Sequence, residues 1–137
     1  MPDADRPLSP AAKTVLAARV LRRYVLVRAR LFREPLPALA ARLGRAASAP
    51  TARHSAARLS RAVDRTLRLG RRRPSCLASS LVLYSLLREQ GEAAQLAIGL
   101  RERPTDKTAH AWVEVDGVDV GPPPGSQGHV ALARFGP

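Results

Sequence analysis

The hydrophobic pattern of this 137-residue chain changes period once, at Gly91, and that change limits the fold more than any other feature. Before it, apolar side chains recur at helical spacing, as in Val15, Leu16, Val20, Tyr24, Val27 and Leu31. After it come a short apolar run, AQLAIGL at 94–100, and a clean alternation, AHAWVEVD at 109–116. Ala109, Ala111, Val113 and Val115 then share one face, and His110, Trp112, Glu114 and Asp116 the other. A chain with a helical first part and a strand-bearing second part is α+β.

The punctuation agrees with that division. Ser9-Pro10 is a helix start, because serine caps free amides and proline suits the first turn. Pro35 and Pro37 interrupt the first helix, and a short one, Leu36 to Leu43, ends at Gly44, expected as a left-handed cap. Residues 45–53 read as a loop. A third helix runs from Ser55 to Leu69, and a strongly apolar one from about Ser75 to Gln90 is closed by Gly91. Asp116-Gly117 predicts a two-residue hairpin with a return strand at 118–120, before PPPGSQG breaks regular structure. The tail from His129 to Pro137 carries no assigned element, and His54 and His129 fall in loop-like contexts at the surface. There are no internal repeats. The expected organisation is a helical part over 1–70, in the same domain or as a docking extension, and a core over 71–137.

Composition removes several function classes. A formal charge of +12, nearly all of it arginine since the lysines are Lys13 and Lys107 alone, invites a nucleic-acid reading. Aromatics at 4% leave no base-stacking platform, and the arginines are spread along helices, so nucleic acid is an unlikely partner. The longest apolar stretch free of charge, Cys76 to Leu87, is too short to span a bilayer. The N-terminus, MPDADRPLSP, is no signal peptide, which places the expected location in the cytoplasm. A single cysteine forbids an internal disulfide, and three scattered histidines suggest no metal centre.

Chemistry concentrates at two residues. Pro74-Ser75-Cys76 puts the thiol in the first turn of the most apolar helix, where free amides and the helix dipole favour a thiolate. Arg71, Arg72 and Arg73 just upstream push the same way. Those amides, Cys76's own included, could also hold a developing oxyanion. His110 opens the alternating strand, with Trp112 on its face to shield it or to pack. A helix-borne thiol facing a sheet-borne imidazole is a nucleophile and its base. Each alone has a structural reading: for the cysteine a buried core residue, as good as the nucleophile on position alone, and for the strand histidine a structural role, the commoner one. Glu114 and Asp116 read as exposed hairpin acids, and Tyr84 as core.

The runs CLASSLVLYSLLREQGEAAQLAIGLR and AHAWVEVDGVDVG resemble the transglutaminase-like cysteine peptidases of lasso-peptide biosynthesis, in their stand-alone form. The resemblance is close over about 70–121 and implies a papain- or transglutaminase-like core, with a Cys-bearing helix packed on a small antiparallel sheet after N-terminal helices. It implies Cys76 as nucleophile and His110 as general base and acid, hydrolysing the bond between leader and core of the precursor peptide. Such leaders usually have threonine as their penultimate residue. The implied partners are a small leader-binding protein and an ATP-dependent cyclase, with no metal or organic cofactor.

The family's third member is an acid, usually Asp, that orients the histidine. With Asp116-Gly117 as a two-residue turn, Glu114 faces Asp119, Trp112 faces Gly121 and His110 faces Pro123. Asp119, the candidate acid, then lies about 13 Å along the strand from His110. Pro122 and Pro123 occupy the expected place, so a carbonyl, water or Gln127 could orient the ring instead. Two rival readings stay open: a nonenzymatic basic nucleic-acid-binding protein and a cysteine–histidine acyltransferase.

Overall fold

The computed structural model describes residues 6–45, 54–70, 74–101, 109–122 and 129–136. Four helices precede a four-stranded antiparallel sheet: α1 (Pro10–Leu31), α2 (Leu36–Leu43), α3 (Ala56–Arg68), α4 (Cys76–Glu89), β1 (Ala94–Arg101), β2 (Ala109–Val115), β3 (Val118–Gly121) and β4 (His129–Phe135). The architecture is α+β.

Serine starts three of these helices. The Ser9, Ser55 and Ser75 side chains accept the amide hydrogens of Ala12, Arg58 and Ala78, the third residue of each helix. Gly44 ends α2, yet its φ is −79°, so it is no left-handed cap. Its lack of a side chain answers a distant neighbour instead: a Cβ there would lie 2.5 Å from the Tyr84 hydroxyl.

The helix α4 runs through the middle of the molecule, in contact with α1, α2 and α3 on one side and β1 and β2 on the other. Every residue from Ser80 to Leu87 is buried, which is why its sequence is apolar all round rather than striped. Leu16, Val20 and Val27 of α1, Leu39 and Leu43 of α2, and Leu59, Val63 and Leu67 of α3 share one core with it. Leu96 and Val113, paired across β1 and β2, join that core from the sheet.

The strand order is β3-β2-β1-β4. Asp116 and Gly117 have φ of 52° and 76°, the two positive values of a type I′ hairpin turn. Pairing starts in the expected register, with Val115 opposite Val118 and Glu114 opposite Asp119. A bulge then leaves Val120 over, so Gly121 stands opposite Val113, not Trp112. Pro123 lies outside the described residues.

The tail supplies the unassigned strand. β4 pairs along β1, and His129 begins it rather than sitting in a loop. A second bulge falls at Leu132, between the pairs Ile98–Ala133 and Gly99–Ala131. Here β4 runs so close that any Cβ on Gly99 would collide with the Val130 carbonyl. His54 is not a free surface group either: it is half-buried, and its enclosed Nδ1 meets no hydrogen-bond partner among the described residues.

Candidate functional site

The first turn of α4 opens into a cleft of about 200 Å³. Cys76 and Ser79 line it from α4, His110 from β2, Pro122 from the end of β3, and Asp64 and Arg68 from α3. The two residues on which the chemistry turns thus face one space although 34 positions separate them. Cys76 is a free thiol, part exposed. The Ser75 hydroxyl takes the Ala78 amide at 3.1 Å. Among the described residues, the Cys76 and Leu77 amides meet no acceptor, as expected of a helix's first turn, so donors and thiol sit together at the cleft.

One buried bond ties the two elements. Ser80 lies four residues after Cys76, one helical turn on, and donates its hydroxyl to the Ala111 carbonyl at 2.9 Å. Ala111 adjoins His110, so this bond couples the position of the thiol's helix to that of the imidazole's strand.

The imidazole is backed by a chain of side chains. Its ring stacks on Trp112 with centroids 6.0 Å apart and planes 20° from parallel, an offset stack. Trp112 is buried and donates its indole N–H to Glu114 at 3.1 Å. Arg134 of β4 donates to the other Glu114 oxygen at 2.9 Å, reaching across β1. Glu114 is therefore no exposed hairpin acid: it is 8% exposed, and its charge is met by Arg134. Its indole partner is two residues away in sequence, but Arg134 is twenty away and on a strand the sequence did not announce.

At the lip of the cleft, Arg68 and Asp64 form an i,i+4 ion pair at 3.1 Å, a pair that α3's helical spacing shows but nothing in the sequence connects with the thiol. Asp119 stays opposite Glu114, four positions along β2 from His110. Its carboxylate accepts the Gly121 amide at 2.8 Å, and Asp119 is not among the described residues lining the cleft. Gln127 and Arg71–Arg73 lie outside the described residues. Among the described residues no three His, Cys, Asp or Glu side chains gather as a metal site, and no helix is long and apolar enough to cross a membrane.

A cysteine in the first turn of a central helix, facing a histidine on an antiparallel sheet, is joined by a sequence match over most of the chain: the profile of the transglutaminase-like superfamily covers residues 15–133. The chain belongs to the transglutaminase-like superfamily. Neither the curated proteins nor the solved structures gave a significant match. The superfamily match begins inside α1 and ends inside β4, so it takes in the N-terminal helices as well as the sheet. Superfamily members are generally cysteine-based enzymes, which suits a peptidase or acyltransferase kind of activity here.

Proposed function

We propose that this chain is a cysteine peptidase that removes the leader from a lasso-peptide precursor. The observation that carries the reading is the cleft that Cys76 and His110 share within a superfamily match spanning both. The resemblance of the α4 and β2 sequences to the leader peptidases narrows the substrate class.

In this reading His110 takes the thiol proton of Cys76, and the sulfur attacks the carbonyl carbon of the leader's last residue. The carbonyl oxygen gains the negative charge, and the open amides of the α4 first turn receive it. As the tetrahedral intermediate collapses, the carbon–nitrogen bond breaks and His110 gives its proton to the departing amine of the core peptide. Water then attacks the leader thioester, losing a proton to His110. This releases the leader as a carboxylic acid and returns that proton to the sulfur. Trp112 fixes the plane of the imidazole through these steps, and Glu114 with Arg134 fixes Trp112. Asp119, on the strand beside β2, remains the candidate acid. The small leader-binding protein presents the precursor, and the ATP-dependent cyclase consumes the freed amine. The cleft chemistry uses no metal or organic cofactor.

The test is incubation with lasso precursor peptides carrying threonine at the penultimate leader position, with the leader-binding protein present, followed by intact mass. A leader ending in a free carboxylate, absent with Cys76→Ala and with His110→Ala, is the expected result. A leader joined to an added amine makes the protein an acyltransferase of the same layout. Cleavage that persists in Cys76→Ala removes the thiol from the mechanism and the reading with it.

A further inference from the structure

A second hollow lies apart from the catalytic cleft. It is a groove of about 330 Å³ between the start of α1 and the face of α3. Leu8, Leu16 and Ala62 give it an apolar floor, and Lys13, Arg58, Arg61 and Arg65 stand around it. Among the described residues no acid lines it.

Elsewhere six described arginines meet acids, Arg19 and Arg23 at Glu89, Arg30 and Arg42 at Glu34, Arg68 at Asp64 and Arg134 at Glu114, while Arg22, Arg28, Arg33, Arg45 and Arg88 stand without an ion pair. Among the described residues, none of the four cations of the groove forms an ion pair. Arg58 spends one nitrogen on the Arg6 carbonyl, which leaves its charge unmatched. Lys13, Arg61 and Arg65 are exposed. Four unmatched cations over an aliphatic floor make a surface for an anion that also carries hydrophobic side chains. A nucleic acid supplies the anions but would set sugars and bases against leucine and alanine, with no aromatic ring to stack on.

We infer that the α1–α3 groove docks an acidic, aliphatic peptide segment, and that this segment belongs to the leader of the substrate. The second half rests on the peptidase reading above; the first does not. The helix α3 connects groove and cleft. Arg61, Ala62 and Arg65 face the groove, while Asp64, Leu67 and Arg68 face the cleft. At about 100° per residue the two sets are centred about 115° apart, on adjoining faces of one helix. Following that arc around a helix about 10 Å wide covers about 10 Å, which takes an extended chain about three residues at about 3.3 Å each. The acidic side chains that dock in the groove therefore lie no closer than about three residues to the bond cut in the cleft.

Binding is measured by fluorescence anisotropy on the Cys76→Ala protein, which keeps docking separate from cleavage. The probe is a short labelled peptide of alternating glutamate and leucine. The comparators are a lysine–leucine peptide and a labelled single-stranded oligonucleotide. The expected result is selective binding of the glutamate–leucine peptide, weakened about tenfold or more in Arg61→Glu/Arg65→Glu. It should change less than about twofold in Arg22→Glu/Arg33→Glu, where the same charge is reversed on exposed α1–α2 positions away from the groove. Equal loss in the two variants, or tighter binding of the oligonucleotide lost on the same Arg61 and Arg65 changes, overturns the inference. So does the absence of peptide binding. Binding as expected, in a protein whose wild-type form cleaves no precursor, would leave the groove standing and remove the leader as its occupant.

Discussion

The two ends of α4 are held in different ways. At the C-terminal end, Glu89 binds Arg23 at 2.8 Å and Arg19 at 3.5 Å, both from α1. Arg88 donates to the Gly44 carbonyl at 3.1 Å, beyond α2. Gln90 clamps the backbone of His54, ahead of α3, taking its N–H at 3.1 Å and giving to its carbonyl at 2.7 Å. At the N-terminal end the described residues supply a serine cap and the Ser80–Ala111 bond. Fixing one end of a buried rod fixes the direction of the other, so the first turn can be positioned without side chains crowding it. The thiol and the open amides are kept clear by placing the restraint about 20 Å away along the helix.

The contrast can be broken at the rod itself. Tyr84 is buried at mid-helix, with its hydroxyl close to Gly44 and Gly136. Tyr84→Ala should cost about 3–5 kcal/mol in urea unfolding, the range for losing a large buried ring. A cost below about 1 kcal/mol would mean that the core closes over the gap and α4 is no rigid rod. Gln90→Ala, which removes both bonds to His54, should cost about 1–3 kcal/mol while kcat on a cleaved precursor stays within about twofold. Ser80→Ala should cost less stability, about 1 kcal/mol. It should still lower kcat about tenfold with KM little changed, because small displacements of reacting groups are expensive. Should the Gln90 variant lose as much kcat as the Ser80 variant, the two ends would not differ in function.

The smallest effect concerns His54. Burial first, then the charges of Arg58 and Arg19, hold its pKa below the ordinary 6.5. As pH falls through 6.5, the unfolded chain takes up a proton that the folded one resists, so stability is lost toward the lower folded pKa. The fall in Tm between about pH 7 and pH 5.5 should be smaller in His54→Gln than in wild type. An unchanged fall would place the acid-sensitive group elsewhere.

What the sequence disclosed was what short range controls. Serine caps, the Asp116-Gly117 turn and the period on either side of Gly91 located all four helices and three strands, because each depends on neighbours within a turn or a pair. Gly44 was legible as a helix end but not in its reason, since Tyr84 lies forty residues on. β4 was hidden by its own bulge: one extra residue at Leu132 breaks the alternation, and its exposed Val130 and Leu132 imitate neither face of an ordinary strand. The misreading of Glu114 followed from that omission, because without β4 neither the covered flank nor Arg134 exists. Cys76 and His110 were visible as residue types in suitable elements. Their common cleft depends on how α4 lies across β2, which periodicity does not encode.

The bulge in β4 also bears on how these molecules behave in a crowd. β4 ends the described sheet order, and two of its apolar side chains are in water, Val130 at 48% and Leu132 at 70% exposure. A straight strand of that kind is a template on which a second chain could lay its own strand, and then a third. The extra residue at Leu132 kinks the row of backbone donors and acceptors, so no regular partner fits along it. The irregularity that concealed the strand is also of the kind that works against strand-by-strand growth at an edge.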